Sequence, residues 1–317
     1  TGVGVGEGCS GPASQSLVSD YFPRHELAKA MGFLTLGATM GTAGGLIIGG
    51  QLNEMFGWRY AFILMGLPGV LIGLILYLTV REPLRGRFAA KGAQTEQQPL
   101  GQTLKSLLAN RVFMGLSIGW AVQIMIGYAL AFWMAAVMLR NFEISSGDVG
   151  LYLGLAFLIG GIPGPILGGY VAQWLTQRDE RWRAWLPGIV SLGCVVPLAI
   201  SLSSAGFWPF LIWFAFAYAI YVASQAPILS GIQAAVEPSQ RGFAVAVALF
   251  FNNLVGQAAG LSIIGAISDN LSREYGSSAL SIAVFAVCLV SGLLSMAVFA
   301  WTAAQMRSSG YLARMAA

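Results

Sequence analysis

The sequence predicts an all-α integral membrane protein, and three observations predict it. Only 9% of the 317 residues are charged and 56% are hydrophobic, whereas a soluble domain carries about 25% charge. The charges are gathered between long uncharged runs, at 30–53, 60–80, 112–139, 149–177, 184–236, 242–268 and 275–306. These runs do not alternate in polarity, as the roughly ten-residue strands of a membrane β-barrel do.

A helix crosses a bilayer with roughly 20 apolar residues. Each run suffices for one crossing, and 184–236 suffices for two, with SSAGFWP (203–209) as the turn. Residues 1–19 supply one more apolar stretch, giving nine candidate helices. Within it, Gly6, Gly8 and Gly11 spell G-x-G-x-x-G. A dinucleotide loop needs a preceding strand and an acid about 20 residues on. A basic loop follows here instead, so these glycines read as a close-packing helix surface. Cys9, Cys194 and Cys288 all fall inside spans. An odd, buried set reads as small packing residues rather than a disulfide framework. His25, the lone histidine, lies in a loop, and a metal site needs several ligands. No cofactor or metal is expected.

Placing the loops alternately on two sides puts 14 Lys/Arg on one side and three (Arg59, Arg140 and Arg273) on the other. The basic side is then cytoplasmic. The net charge of +4 belongs to these loops, so no nucleic-acid partner is expected. The longest polar segment, 81–105, is basic and rich in Gln, Gly and Pro. It reads as a linker between helical bundles. The expected organisation is one bundle in 1–80, a cytoplasmic linker in 81–111, a six-helix bundle in 112–306 and a cytoplasmic tail in 307–317.

A shift of 215 aligns Pro12 with Pro227, Pro23 with Pro238 and Gly41 with Gly256. It also aligns Gly45 with Gly260 and Gly50 with Gly265. The first three spans therefore correspond to the last three. If the halves of six spans are related, three further spans are expected ahead of Thr1.

At this point the residues resemble the major facilitator superfamily. SDYFPRHELAKAMGF (19–33) is similar to its loop between spans 4 and 5, and GWRYAF (57–62) to its turn into span 6. GGYVAQWLTQRDERW (168–182) resembles its loop signature G-x-x-x-D-R-x-G-R-R, with Gln173 where an acid is usual. GATMGTAGGLIIGG (37–50) resembles its span 5 antiporter motif, with Thr42 replacing the proline. Over residues 2–83 the chain most resembles Spinster-type transporters. The resemblance implies a twelve-span fold, of which nine spans are present here, and solute movement by alternating access. It also implies proton linkage and a lysolipid-like or small organic substrate. A monomer in a bacterial inner membrane, in contact with its lipids, is expected.

Glu7 is the one acid placed inside a span. A charge at bilayer depth costs about 2.5–3.5 kcal/mol, so it should face a cavity or a partner. That makes it the proton-coupling candidate, unless it lies solvated near the outer interface. Polar faces mark a substrate cavity on three other spans. Span 7 carries Trp120, Gln123 and Tyr128. Span 10 carries Tyr218, Tyr221 and Gln225, with Ser224 beside them. Span 11 carries Asn252, Asn253 and Gln257. Uncharged hydrogen-bonding groups among aromatics suit an amphipathic ligand. The competing reading is hydrogen bonding between helices, or for the aromatics an interfacial belt. Pro163 and Pro165 should kink span 8.

A secondary transporter is the expected function. A membrane-embedded lipid-modifying enzyme would need clustered catalytic groups such as H-E-x-x-H, and the chain has none. A primary pump would need a P-loop, also absent from the sequence. A non-transporting receptor or scaffold is the remaining alternative, and the internal repeat argues against it.

Overall fold

The computed structural model describes residues 24–80, 100–237 and 240–308, together with Ser14, Leu17, Val18 and Tyr21. Glu7 and Cys9, the linker 81–99 and the tail 309–317 lie outside the described residues. So does most of the run 1–19, on which the count of nine rests. Helices cover every uncharged run from residue 30 onward, and there is no strand among the described residues.

Helix α1 spans Arg24–Phe56 and α2 spans Trp58–Thr79, separated by Gly57 at φ 79°. Only glycine takes that backbone conformation readily. Helix α1 is 33 residues long, about 50 Å at 1.5 Å per residue. It therefore begins inside the loop expected over 20–29, because nothing after Arg24 breaks it. Helix α2 is apolar on every side, with mean hydropathy 2.4, and Ala61 is its one buried residue. Part of the expected linker is also helical. Helix α3, Leu100–Ala109, buries Thr103 and Leu107 against the bundle that follows.

Asn110 joins α3 to α4, Arg111–Tyr128. Its Oδ1 accepts from the Val112 and Phe113 amides at 3.1 Å. Its Nδ2 donates to the Ala235 carbonyl at 2.8 Å. One side chain thus caps a helix and ties it to a distant chain segment. A wide π-helical turn, Ala129–Trp133, carries α4 into α5, Met134–Asn141.

Prolines divide the next three crossings. Helix α6, Ser146–Gly161, breaks at Ile162, and α7, Pro163–Thr176, starts on the first proline. The kink expected from Pro163 and Pro165 is there. Helices α8, Trp182–Gly193, and α9, Val195–Ser203, meet at Cys194. The ring of Pro197 conflicts with the carbonyl four residues back, that of Gly193. Helices α10, Phe207–Ala223, and α11, Gln225–Ala234, meet at Ser224 for the same reason, with Pro227 facing Ala223. Helix α12, Arg241–Phe251, passes through a π-helical segment, Asn252–Ala259, into α13, Gly260–Tyr275. Gly276, at φ 52°, ends it. Helix α14, Ala279–Ser308, completes the described chain.

Two apolar cores fill opposite halves of the bundle. One gathers Leu130, Met134, Leu153, Phe157, Phe210 and Phe214. An edge-to-face aromatic group caps it, with Phe142 5.5 Å from Phe207 and Tyr152 5.5 Å from Trp208. The other gathers Leu107, Phe113, Leu116, Ile232, Phe299 and Met306. Loops 142–145 and 204–206 share one end with 276–281, where Asn141 Nδ2 donates to Ser281 Oγ at 3.0 Å. The segments near 110 and 235 share the other. This is the two-sided arrangement that alternation of the loops requires. Cys194 and Cys288 are buried and free, as packing residues should be.

Small residues set the closest helix contacts. Helix α14 packs on α4 and α8, with Gly119 against Phe299 and Gly188 against Met296. Helix α1 packs on α6 along Gly50 and Gly150, where a Cβ on Gly50 would lie 2.9 Å from the Gly150 Cα. The repeat is uneven in packing. Gly41 and Gly45 have open space around them, whereas their counterparts Gly256 and Gly260 press on Ile124 and Met125.

A Cβ on Gly150 would fall on the Leu46 carbonyl oxygen, and backbone cannot yield as a flexible side chain can. Gly150→Ala should therefore lower stability by about 1–3 kcal/mol, read as a lower melting temperature in detergent. Gly44→Ala, with nothing within 4 Å of the new carbon, should leave it unchanged or raised.

Candidate functional site

Gln123 lies on α4 between Trp120, which belongs to one apolar core, and Ile126, which belongs to the other. The polar residues expected on spans 7, 10 and 11 meet at this level. Gln123 is fully buried, and its Nε2 donates to Ser224 Oγ at 2.7 Å. Trp120 Nε1 donates to Gln225 Oε1 at 3.0 Å. Both acceptors stand at the α10–α11 break. Because Pro227 interrupts the helix there, Ser224 Oγ donates to the Tyr221 carbonyl at 2.7 Å. The break therefore brings a hydroxyl and an amide to the face of α4.

The aromatics line the same region. Tyr221 is 6% exposed and leans on Gly127, where any side chain would collide with its hydroxyl. Tyr218 is half-buried, 6.4 Å from Tyr221 between ring centres. Phe157 of α6 meets it edge-on at 4.3 Å. Tyr128 OH lies 3.5 Å from Asn253 Oδ1, linking α4 to the π-helical segment.

That segment reshapes span 11. Its wider turns close i→i+5, so Asn253 and Gln257 do not stack as a 3.6-residue repeat would stack them. Asn252 is buried at 1% exposure, Asn253 is exposed and Gln257 is half-buried. Both amide atoms of Asn252 are buried without a hydrogen-bond partner among the described residues, as are Gln123 Oε1 and Gln225 Nε2. Buried amide atoms left unpaired cost about 1–3 kcal/mol each, and such groups are rare outside sites that use them.

The arrangement can hydrogen-bond an uncharged polar group, through donors and acceptors alike, between aromatic walls. Among the described residues no group of three His, Cys, Asp or Glu could hold a metal ion. Glu7, the proton-coupling candidate, lies outside the described residues. Sequence reasoning noted Ser224 only as a neighbour and missed Phe157. Ser224 was legible from Pro227 three residues on. Phe157 had no signal, because it comes from a span read as apolar.

A cavity of about 390 Å³ opens elsewhere, between α7 and α11, lined by Gln173, Thr176, Glu180, Arg183 and Ser230. The adjoining loop pairs its own charges. Arg181 binds Asp179 at 2.6 Å, and its guanidinium holds the Asp179 carboxyl below the usual range. Arg183 pairs with Glu180, and Arg178 stacks 3.9 Å over Trp174. The basic run is thus internally neutralised, which fits a topology anchor.

The chain matches the Major Facilitator Superfamily model over residues 2–261. It is 31% identical to an "MFS-type efflux pump" of Mycolicibacterium smegmatis over 88% of this chain and 64% of that protein. It is 28% identical to human "Protein spinster homolog 1" over 88% of this chain and 56% of that one. With Drosophila melanogaster "Protein spinster" the identity is 24%, over 86% and 46%. The chain therefore spans about half to two thirds of these relatives' lengths. Its fold is that of a solved bacterial homolog to the human lysosomal transporter Spinster, in an inward-facing and unoccupied conformation. The TM-score is 0.72 at 24% identity, covering 96% of this chain and 74% of that one. The Spinster likeness thus runs well past residues 2–83, to which the sequence motifs confined it. These relatives are membrane transporters rather than enzymes, and the chain belongs to the Major Facilitator Superfamily.

Proposed function

We propose that the chain serves a secondary transporter that moves a small organic or lipid-like solute by alternating access. The observation that carries this reading is the cluster of Gln123, Gln225 and Asn252, with buried amide atoms left unpaired between two apolar cores. Tyr218 and Tyr221 flank it. An amphipathic solute would place its polar end on the amides and its apolar part along the aromatics. The solutes named for the Spinster and efflux relatives' class support this range, and a lysolipid-like molecule fits it. Residues 1–80 and 112–306 would form parts of two bundles joined by the linker 81–111. The positive-inside distribution puts that linker and the tail in the cytoplasm of a bacterial cell. The unit would act as a monomer in its lipids. Glu7 would couple solute movement to protons, since burial raises a carboxyl pKa and a nearby cation lowers it.

The test is uptake of a radiolabelled lysophospholipid and a metabolite panel into proteoliposomes holding the full-length protein. Gln123→Leu should cut kcat/KM at least tenfold. Its melting temperature should move little, because an average interhelical hydrogen bond is worth about 0.6 kcal/mol. A packing role would give the reverse, with a lower melting temperature and intact uptake. Glu7→Gln should abolish proton-driven uptake while sparing exchange of solute across the membrane; wild-type driven uptake in that variant would remove the coupling role. Single cysteines in 81–105 should react only with reagent on the cytoplasmic side.

A further inference from the structure

The end of α1 and the start of α6 are joined by three polar contacts that no transport residue above accounts for. Glu54 Oε2 accepts from Ser145 Oγ at 2.8 Å and from the Gly147 amide at 2.8 Å. Next to it, Asn53 Nδ2 donates to Ser146 Oγ at 3.1 Å. The partners come from chain segments more than ninety residues apart. Gly147 is a glycine of necessity, since a Cβ there would collide with Glu54 Oε2.

Helix α6 does not need Glu54 as a local cap. Ser145 already accepts from the Asp148 amide at 3.1 Å, and Asp148 supplies an acid in the first turn, where the helix dipole favours one. A carboxylate brought from another helix is surplus to the cap. Its effect is to connect the two elements.

What lies behind this connection is a contact that can open. From Gly50 through Gly150 to Gly154 the seam is backbone against backbone or against Ile47. No large side chain of one helix is buried in the other along these glycines. Two such surfaces can part without withdrawing interlocked side chains. Past Pro163, α7 packs on α10 and α11, so the α1–α6 seam is concentrated toward the Glu54 end. The charge distribution makes that end the outer one.

We propose that Glu54 is a positioning residue for the transport cycle: its carboxylate latches the outer end of α1 to the N-terminus of α6, and the latch releases when the outer side opens. This rests on the alternating-access reading above. The closed state observed here is stabilised by charge-assisted hydrogen bonds to a helix terminus. Removing them shifts the balance toward the outward-open state, as any interaction made in one state only must do.

Two measurements on the full-length protein test it, with other reactive cysteines replaced. Spin labels at Phe56→Cys and Glu143→Cys, both exposed, report the outer separation by pulsed electron resonance. Glu54→Ala should at least triple the long-distance population, and Gly147→Ala should reproduce it. Glu54→Gln, which keeps an acceptor oxygen, should lie between. Unchanged distances in stably folded variants would overturn the latch. In the second arm, Asn53→Cys with Ser146→Cys is cross-linked by oxidation. Solute exchange should stop and should return on reduction; undiminished exchange by fully cross-linked protein would overturn the latch. If the uncross-linked protein moves no solute at all, the transporter reading fails, and the distance measurement still decides the latch.

Discussion

A bilayer interior offers no water to hydrogen-bond an open peptide group. Every segment that crosses it must close its backbone bonds within itself, and this rule governs the chain from α1 to α14. It also makes each interruption conspicuous. Ile162, Cys194 and Ser224 stand at breaks forced by prolines. Where a break frees backbone groups, a side chain returns to satisfy one. Ser224 bonds the Tyr221 carbonyl and Ser191 bonds the Pro187 carbonyl. The polar side chains of the interior are therefore partly servants of the backbone. Those left over, such as the amide atoms of Asn252, stand out against that background.

The second organising quantity is helix separation. Apolar side chains gain little from burying against one another when lipid is equally apolar, so contact distance and shape decide which helices adhere. The glycines of α4, α6 and the Asn252–Ala259 segment meet backbone or aromatic rings of neighbouring helices. Glycines on α1 and α2 that face open space, such as Gly41, Gly44 and Gly66, carry no such contact. The same residue type thus marks both a tight seam and a surface available to lipid or to other helices, and composition cannot separate them.

The fold was legible in the sequence because charge placement is a direct record of bilayer depth. The helix limits were less so. Arg24 to Lys29 read as loop because they are polar, yet no proline or glycine lies among them, and a long helix continues beyond the membrane without cost. Residues 100–109 read as linker because their surroundings are polar, although Leu107 anchors them to a core. In the site, Trp120, Gln123, Tyr221 and Gln225 were recoverable from 3.6-residue spacing, since their helices keep that period up to the break. Span 11 was not, because its period changes at Asn252. Glu54 escaped notice because it sits in a charged turn, where an acid needs no explanation until its partner helix is known.

The π-helical segment Asn252–Ala259 has a genetic as well as a geometric meaning. Turns closed i→i+5 take up one residue more than turns closed i→i+4. Deleting a single codon in this stretch would let the helix close in its ordinary form. Everything C-terminal to it would then rotate by about 100° about the axis, the angle of one residue in an α-helix. Ile264 and Ser268, now buried, would leave the interior together. The span therefore tolerates substitution in a way that it cannot tolerate a change of length.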